Sequence, residues 1–523
     1  MRLPPLISCF AVLALLADAA FAQAVKLPPI FRDHMVLQRD VSVPVWGQAD
    51  AGAEVTVRFA GQSKAATADA QGRWEVRLDP ISASNEPREM KVGNSVLQDV
   101  LVGEVWLCSG QSNMRWIVGR VDKFPGVEGA DEEITKPERP ELRLFSDDGE
   151  EVWQQRGWQR ASGERVARFS ATAYFFGQML HRELGVPVGV INVSRGGTSV
   201  QAWTRRDFAM RNPFTRHYVE LEEKSRDVIR KYNEAQRAAR LARQAGRKSA
   251  PQPAALDPEI EIARLFHVAN LYDAHIEPLA PFAIRGVVWY QGESNASRLK
   301  TAQAYGSMLR DLIEGWRDRW GQPDMPWLVM QLPCWDGATS APWPWVRQGQ
   351  WETSRRVPNV SLATTCDVSD TSNLHPAQKR EAGERLARLA LAKTYGQSVV
   401  AHGPTPTGFR REGERLVLSF DSGGADITVK GDRWNDIEIA GEDGIYHSAQ
   451  ATLMGNAATI SSAAVKTPRA VRYGWSPVFQ PTLFNAAGLP AAPFALWMDN
   501  TGSIRPGILT GAAPSETKNR SKP

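Results

Sequence analysis

The sequence has few cysteines, little net charge and few long hydrophobic runs. Its 523 residues include four cysteines, no two of which form a CxxC pair, so a structural zinc site is not expected. The net charge of +4 is small for this length, which argues against nucleic acid as the main partner. Metal-ligand motifs, phosphate-binding loops and nucleotide fingerprints are also missing from the sequence. The sequence therefore predicts neither a cofactor nor a metal.

One apolar run stands near the N-terminus. Residues 6–16 are apolar, follow a basic start and precede a small-x-small cleavage site at Ala22. The run is too short to span a bilayer, and the pattern is typical of a secretory signal peptide over residues 1–22. The expected mature protein is periplasmic or secreted and has no membrane span. Because Cys9 leaves with the signal peptide, at most one disulfide can form among the remaining Cys108, Cys334 and Cys366.

The chain is too long for one hydrophobic core, and its pattern changes at several points. Residues 23–100 contain short runs of alternating polarity separated by Gly and Asp, which predict an N-terminal β-sandwich region. Residues 101–400 alternate apolar strands with amphipathic helices, which favours a parallel α/β sheet. Within that domain, residues from about 205–260 predict an exposed helical insert rich in charged side chains. A C-terminal β-rich region is expected over 401–510, and a disordered tail over 511–523.

Four unusual loops follow predicted strands of the α/β domain. Ser112 lies in the segment GQSNM, Gly197 in SRGGT, Gln291 in QGESN, and His375 directly before a proline. In open parallel sheets, the working residues lie beyond the carboxyl ends of the strands. A serine nucleophile needs a base within hydrogen-bond reach, and its tetrahedral intermediate needs hydrogen-bond donors for the oxyanion. The loops supply a hydroxyl, backbone N–H groups beside glycine, a side-chain amide and an imidazole.

Together these segments resemble the four sequence blocks of the SGNH hydrolases and, more closely, the sialate O-acetylesterase branch of that superfamily. The resemblance is carried by GQSNM, the Gly-Gly-Thr loop, WYQGESNA and the late His-Pro. It extends over nearly all of the mature chain, from PIFRDHMVLQR at 29–39 to LFNAAGLP at 483–490. It implies a flavodoxin-like three-layer α/β/α catalytic domain with β-sandwich material from both chain ends. It also implies a serine esterase that removes O-acetyl groups from carbohydrate through an acetyl-enzyme intermediate.

Carried over to this sequence, the resemblance makes Ser112 the nucleophile and His375 the base. The implied oxyanion hole consists of the backbone N–H groups of Ser112 and Gly197 with the side-chain amide of Gln291. Residues expected to support these groups from behind are Glu293, Asn295 and Asn373.

The sequence departs from the family at the acid of the triad. Related esterases place an aspartate two or three residues before the histidine, whereas Asn373 and Ser372 occupy those positions here. An aspartate orients the imidazole and stabilises its charged form, while an asparagine can orient it but carries no charge. Asp370 in the same loop is the preferred replacement, and Asp367 is an alternative. A Ser–His dyad supported by a backbone carbonyl is the third interpretation.

Two further features bear on the sugar. Family members often carry glutamate after the methionine of GQSNM, and this chain has Arg115 there. Trp335, Trp343 and Trp345 crowd a segment rich in Pro and Ser and act either as sugar-stacking residues or as core anchors. If they line the cleft, a polymeric glycan is favoured over a single sialic acid. The alternatives are therefore an acetylesterase of plant hemicellulose, such as xyloglucan or xylan, and a non-catalytic carbohydrate-binding protein. The oligomeric state stays open.

Overall fold

The structure, a computed structural model, describes residues 25–121, 125–147, 157–246, 253–338, 341–431 and 433–509. The predicted signal peptide and the predicted tail lie outside the described residues. Within the described part of the chain, no helix has the length and apolar character needed to cross a membrane.

The N-terminal region consists mainly of antiparallel β-strands. These strands are β1 (Val36–Gln38), β2 (Val43–Gln48), β3 (Glu54–Phe59), β4 (Gln62–Thr67), β5 (Arg73–Leu78) and β6 (Ser84–Val92). Strand β2 pairs with β5, and β3 pairs with both β4 and β6. Along β3 and β5 every second side chain is buried, as the alternating polarity of the sequence predicts.

The central sheet is built around one long strand, β7 (Ser95–Gly110). The strands that follow are β8 (Arg139–Ser146), β9 (Gly157–Ala161), β10 (Val188–Ser194), β11 (Gly286–Tyr290), β12 (Trp327–Met330) and β13 (Val360–Ala363). The order is β13-β12-β11-β7-β10-β8-β9, and all neighbours are parallel except β9 at the edge. The first half of β7 pairs with β6. The expected boundary at residue 100 thus lies inside a strand that both regions share.

Helices cover both faces of this sheet. They are α1 (Ser112–Arg115), α2 (Ala130–Thr135), α3 (Gly163–Ala167), α4 (Ala171–Leu184), α5 (Arg206–Ala209), α6 (Pro213–Lys224), α7 (Arg226–Gln244), α8 (Pro258–Arg264), α9 (Leu299–Gln303), α10 (Tyr305–Trp320), α11 (Trp343–Arg356) and α12 (Lys379–Lys393). Buried side chains of α4 and α12 pack with one face of the strands, and those of α10 and α11 pack with the other. The predicted three-layer α/β fold class is therefore confirmed.

The C-terminal region is a second β-structure that packs on the α/β layers. Its strands are β14 (Thr405–Glu412), β15 (Arg415–Asp421), β16 (Ile427–Val429), β17 (Ile437–Ala440), β18 (Tyr446–Ser448), β19 (Gln450–Met454), β20 (Ala457–Ser461), β21 (Ala470–Tyr473), β22 (Leu483–Asn485), β23 (Phe494–Met498) and β24 (Ile504–Pro506). Two antiparallel sheets, β14-β15-β20-β19 and β18-β17-β21-β23-β24, share one buried cluster with Trp351 of α11. The three cysteines expected in the mature chain, Cys108, Cys334 and Cys366, are buried free thiols.

Candidate active site

The ends of three neighbouring parallel strands bring the first three loops together. Strand β7 lies between β10 and β11, and Gly110 at its end aligns with Ser194 and Tyr290 at theirs. Gly110 has φ 142, and a Cβ at this position would lie 2.1 Å from the Tyr290 carbonyl oxygen. Only glycine fits such a contact. The chain can therefore turn sharply here and start α1 at Ser112.

Ser112 borders the Gly-Gly loop. It is half-buried at the first position of α1, where the backbone N–H groups have no acceptor within the helix. A Cβ built on Gly196 would lie 3.7 Å from the Ser112 Cβ. The next residue, Gly197, has φ 70, a left-handed conformation that glycine adopts without strain. The Ser112 side chain thus lies next to the backbone of the glycine loop.

His375 is held against the turn that carries Ser112. Its ring stacks on Trp116, with 4.5 Å between centroids and 16° between planes. The carbonyl of Leu374 accepts a hydrogen bond from Asn113 Nδ2 at 3.1 Å. Burial and the charge of Lys379 lower the pKa of His375 to about 4. The imidazole is therefore neutral at ordinary pH, and its buried Nε2 has no partner among the described residues.

The structure does not bring a carboxylate to His375. Asp370 is exposed, and its Oδ1 accepts hydrogen bonds from the Ser372 N–H (3.0 Å) and hydroxyl (2.7 Å). Asp367 forms a paired contact with Arg385 at 2.6 and 2.7 Å. Within the described residues, no hydrogen bond joins either aspartate to the imidazole. Asn373 instead accepts a hydrogen bond from the backbone N–H of His375 at 2.9 Å.

Gln291 ties three loops together. Its Nε2 lies 3.0 Å from Gln111 Oε1, 3.0 Å from the Thr198 carbonyl and 2.9 Å from Asn295 Oδ1. Two amide hydrogens therefore face three acceptors inside the loops. Asn295 also accepts a hydrogen bond from the Val200 N–H at 3.0 Å. Gln111, which no sequence pattern marks, accepts long hydrogen bonds from the backbone N–H groups of Gly292 and Ser294.

Behind Ser112 lies a polar cluster that the sequence indicated only in part. Asn113 Nδ2 donates to Glu293 Oε1 at 2.5 Å, and Asn113 Oδ1 accepts from Lys379 Nζ at 2.8 Å. Glu293 and Lys379 are both buried. Burial raises the pKa of Glu293 and lowers that of Lys379 to about 7. Glu293 was expected to support the site, whereas Asn113 and Lys379 were not singled out.

A charged cluster of Arg195, Asp147 and His275 lies at the start of the glycine loop. Arg195, the residue before Gly196, contacts both carboxylate oxygens of Asp147, at 3.3 and 3.1 Å. His275 Nδ1 lies 2.8 Å from Asp147 Oδ2. No sequence pattern pointed to this cluster, because its members come from three separate segments.

The three tryptophans occupy different environments. Trp343 is 2% exposed and donates its indole N–H to the Pro333 carbonyl at 2.9 Å, so it packs in the core and offers no face to a sugar. Trp335 and Trp345 are half-buried. The segment of Trp335 reaches the His375 loop, because the Asp336 N–H donates to the Thr371 carbonyl at 2.8 Å.

Arg115 and an open cavity complete the surroundings of the site. Arg115 is half-buried at the end of α1. A cavity of about 320 Å³ adjoins Gly197 and is lined by Ser294, Arg298 and Asn270 among others. Its walls come from the segment that starts with the glycine loop, from the segment after β11 and from residues 262–271, which follow the helical insert. In the described part of the chain, no group of three His, Cys, Asp or Glu side chains is arranged to hold a metal ion.

A parallel α/β sheet with these loops at the carboxyl ends of its strands is the architecture of the SGNH-type ester hydrolases. The family described as carbohydrate esterase, sialic acid-specific acetylesterase matches residues 102–242 and 262–392, more than half of the chain. The chain belongs to this family. It is therefore a carboxylic ester hydrolase, not a non-catalytic carbohydrate-binding protein, and the family's chemistry is O-deacetylation of carbohydrate.

Similar proteins support this assignment over most of the length. The chain is 29% identical to sialate O-acetylesterase of Mus musculus over 72% of this chain and 74% of that protein. It is 24% identical to sialate O-acetylesterase of Homo sapiens over 94% of this chain and 96% of that protein. A carbohydrate acetylesterase from Xanthomonas citri, known from a crystal structure, is 29% identical with a TM-score of 0.74. That match covers 91% of this chain and 100% of the other.

Proposed function

We propose that this protein removes O-acetyl groups from a sialic acid or a related sugar by serine catalysis. The observation that carries the proposal is the placement of His375. Its ring stacks on Trp116, and its neighbour Leu374 is bonded to Asn113. The first contact joins the imidazole, and the second joins the backbone of the preceding residue, to the segment that begins at Ser112. Nucleophile and base therefore come from one small region of the fold, as acyl transfer requires.

The proposed reaction has two steps, acylation of Ser112 and hydrolysis of the acetyl-enzyme. The Ser112 hydroxyl gives its proton to the neutral imidazole of His375, and Oγ attacks the acetyl carbonyl carbon. The carbonyl electrons move onto oxygen, and the oxyanion accepts hydrogen bonds from the N–H groups of Ser112 and Gly197. The sugar leaves with the proton from His375, and acetyl-Ser112 remains. Water then repeats the sequence, giving acetate and the free hydroxyl.

The role of Gln291 in this reaction differs from that of the backbone donors. Its amide already has three acceptors within the loops. It reaches the oxyanion only by releasing one of them. We therefore assign Gln291 mainly to holding the turn at Gln111 and the glycine loop at Thr198 in place. Its contribution to the oxyanion hole is secondary.

A Ser–His dyad fits the imidazole environment better than a triad does. The carboxylates of Asp370 and Asp367 have other partners, and Asn373 holds the backbone of His375. Ring orientation then comes from the stack on Trp116. Asp370 would act as the acid only if its loop rearranged when substrate binds.

Acetate release from O-acetylated sialic acid tests the proposal. Ser112→Ala should lose activity by about 10³-fold or more, because the residual rate comes from the oxyanion hole and binding alone. Ser63→Ala, at an exposed position of β4, is the matched control and should keep full activity. A Ser112→Ala protein that still releases acetate at the native rate would end the serine mechanism.

An acetylated hemicellulose is the second candidate substrate. Trp335 is half-buried, and its segment is bonded to the His375 loop. Trp345 meets Trp475 of the C-terminal region edge to face, with 5.3 Å between centroids. Indole faces near the loop would suit a polymeric chain of sugars. Comparing kcat/KM on acetylated xylan or xyloglucan with that on sialic acid acetates separates the two substrates.

A further inference from the structure

A buried lysine lies beside the catalytic histidine. Lys379 opens α12, and its side chain is buried although nothing in the proposed reaction uses it. Its ammonium group donates to the Pro376 carbonyl at 2.6 Å and to Asn113 Oδ1 at 2.8 Å. It also lies 5.9 Å from the centre of the Tyr290 ring. One side chain thus contacts the segment that carries His375 and the residue that follows Ser112.

Asn113, which accepts a hydrogen bond from Lys379, is also hydrogen-bonded to a buried carboxyl group. Its Nδ2 donates to Glu293 Oε1 and to the Leu374 carbonyl. A buried charge is costly unless it is paired and hydrogen-bonded. Lys379 and Glu293 are both hydrogen-bonded to Asn113, whereas Glu293 Oε2 has no partner among the described residues. The cluster therefore places a cation at the Oδ1 end of the Asn113 amide and a carboxyl group at its Nδ2 end.

The other charged groups around His375 are more exposed to solvent or lie farther behind the site. Glu128, whose backbone N–H donates to the Ala377 carbonyl, and Asp370 on the histidine loop are exposed. Arg115 at the end of α1 is half-buried. Glu293 is buried behind Asn113. Solvent weakens exposed charges, and Lys379 is the charged group that, after burial, lowers the pKa of His375.

We propose that Lys379 is a positioning residue of the active site, which anchors the His375 loop to the nucleophile turn and keeps the resting imidazole uncharged. The inference rests on the proposed serine mechanism, in which a neutral His375 accepts the proton of Ser112. A like charge nearby disfavours the imidazolium form. Burial and Lys379 both act in this direction on the pKa of His375. With its pKa lowered, His375 stays neutral and can act as the base in acidic solution, where an ordinary histidine is protonated.

Two substitutions of Lys379 distinguish the effect of its hydrogen bond to the Pro376 carbonyl from the effect of its positive charge. Lys379→Gln keeps a donor for the Pro376 carbonyl without a charge, and Lys379→Met removes both. In each variant the acidic limb of the kcat/KM profile should move upward by about 1 pH unit. The plateau rate should fall by roughly 10-fold in Lys379→Met and by less in Lys379→Gln. Lys393→Met, exposed at the other end of α12, should change neither quantity.

A measurement on the native side chains guards against variants that fail to fold. Histidine labelled with ¹³C reports the titration of each imidazole by NMR, and His375→Gln assigns the resonance. The native His375 should titrate well below pH 5, whereas a midpoint near 6.5 would overturn the proposal. An unchanged acidic limb in both lysine variants would overturn it as well. Neither outcome touches the serine mechanism, which stands or falls with Ser112→Ala.

Discussion

At the scale of single residues, the partner of His375 decides between triad and dyad. The Asp370 carboxylate is exposed and bonded to Ser372, so Asp370→Ala should keep activity within about 3-fold of the native enzyme. In a serine triad, losing the charge of the aspartate costs about 10⁴ in kcat. Steady-state kinetics on a soluble acetyl ester distinguish these outcomes. Asp367→Ala is a less clean probe, because it also breaks the contact with Arg385.

The sequence pointed to some residues of this site but gave no sign of others. Ser112 and His375 were visible because their segments carry a recognisable pattern. Lys379 was not, because a lysine in a sequence reads as exposed and only the fold shows it to be buried. Asn113 was hidden for a similar reason, since its partners Glu293 and Leu374 lie far away in the chain.

At the scale of elements, the glycine loop after β10 depends on an ion pair. Asp147, just beyond β8, binds Arg195 and lies next to His275. Asp147→Asn should loosen the loop that carries Gly197, a donor of the proposed oxyanion hole. Because such a donor would act in the transition state, kcat and kcat/KM should fall together by roughly 10-fold. Asp273→Asn, at an exposed position close to His275, is the control. A normal kcat in a folded Asp147→Asn protein would show that the loop holds without the pair.

Local signals predicted some element ends and not others. Helix α4 begins after Ser170, whose hydroxyl accepts from the Ala173 N–H at 3.2 Å, and it stops at Gly185 with φ 65. Both residues are regular signals for helix ends. Pro376 also predicts a helix start, but α12 begins at Lys379. The intervening residues stay irregular, and the Pro376 carbonyl accepts from the Lys379 side chain.

At the scale of the whole molecule, composition indicated three regions but not how they join. The alternating N-terminal strands and the α/β core were both predicted. The shared strand β7 was not, because pairing with β6 on one half and with β10 and β11 on the other is a long-range property. The C-terminal sheets were likewise expected as β-structure, while their contact with α11 appears only in three dimensions.

The contact between the C-terminal region and the catalytic layers centres on Arg347 of α11. This buried guanidinium donates to the carbonyls of Leu332, Pro333, Ser476 and Pro477, at 3.0, 2.6, 2.8 and 3.0 Å. Arg347→Met would remove all four hydrogen bonds, although the Pro333 and Pro477 carbonyls keep the Trp343 and Trp335 donors. A buried polar group left unsatisfied costs roughly 1–3 kcal/mol. The thermal unfolding midpoint should therefore fall by several degrees. Arg355→Met, exposed on the same helix, should leave it unchanged.

The same substitution should also reach the active site. The Pro477 carbonyl accepts hydrogen bonds from Arg347 and from the Trp335 N–H, and the next residue, Asp336, is bonded to the His375 loop at Thr371. Loss of the arginine should therefore lower kcat/KM on a polymeric substrate more than on a small acetyl ester, because the small ester does not need the tryptophan segment. Equal losses on both substrates would mean that the C-terminal contact serves stability alone.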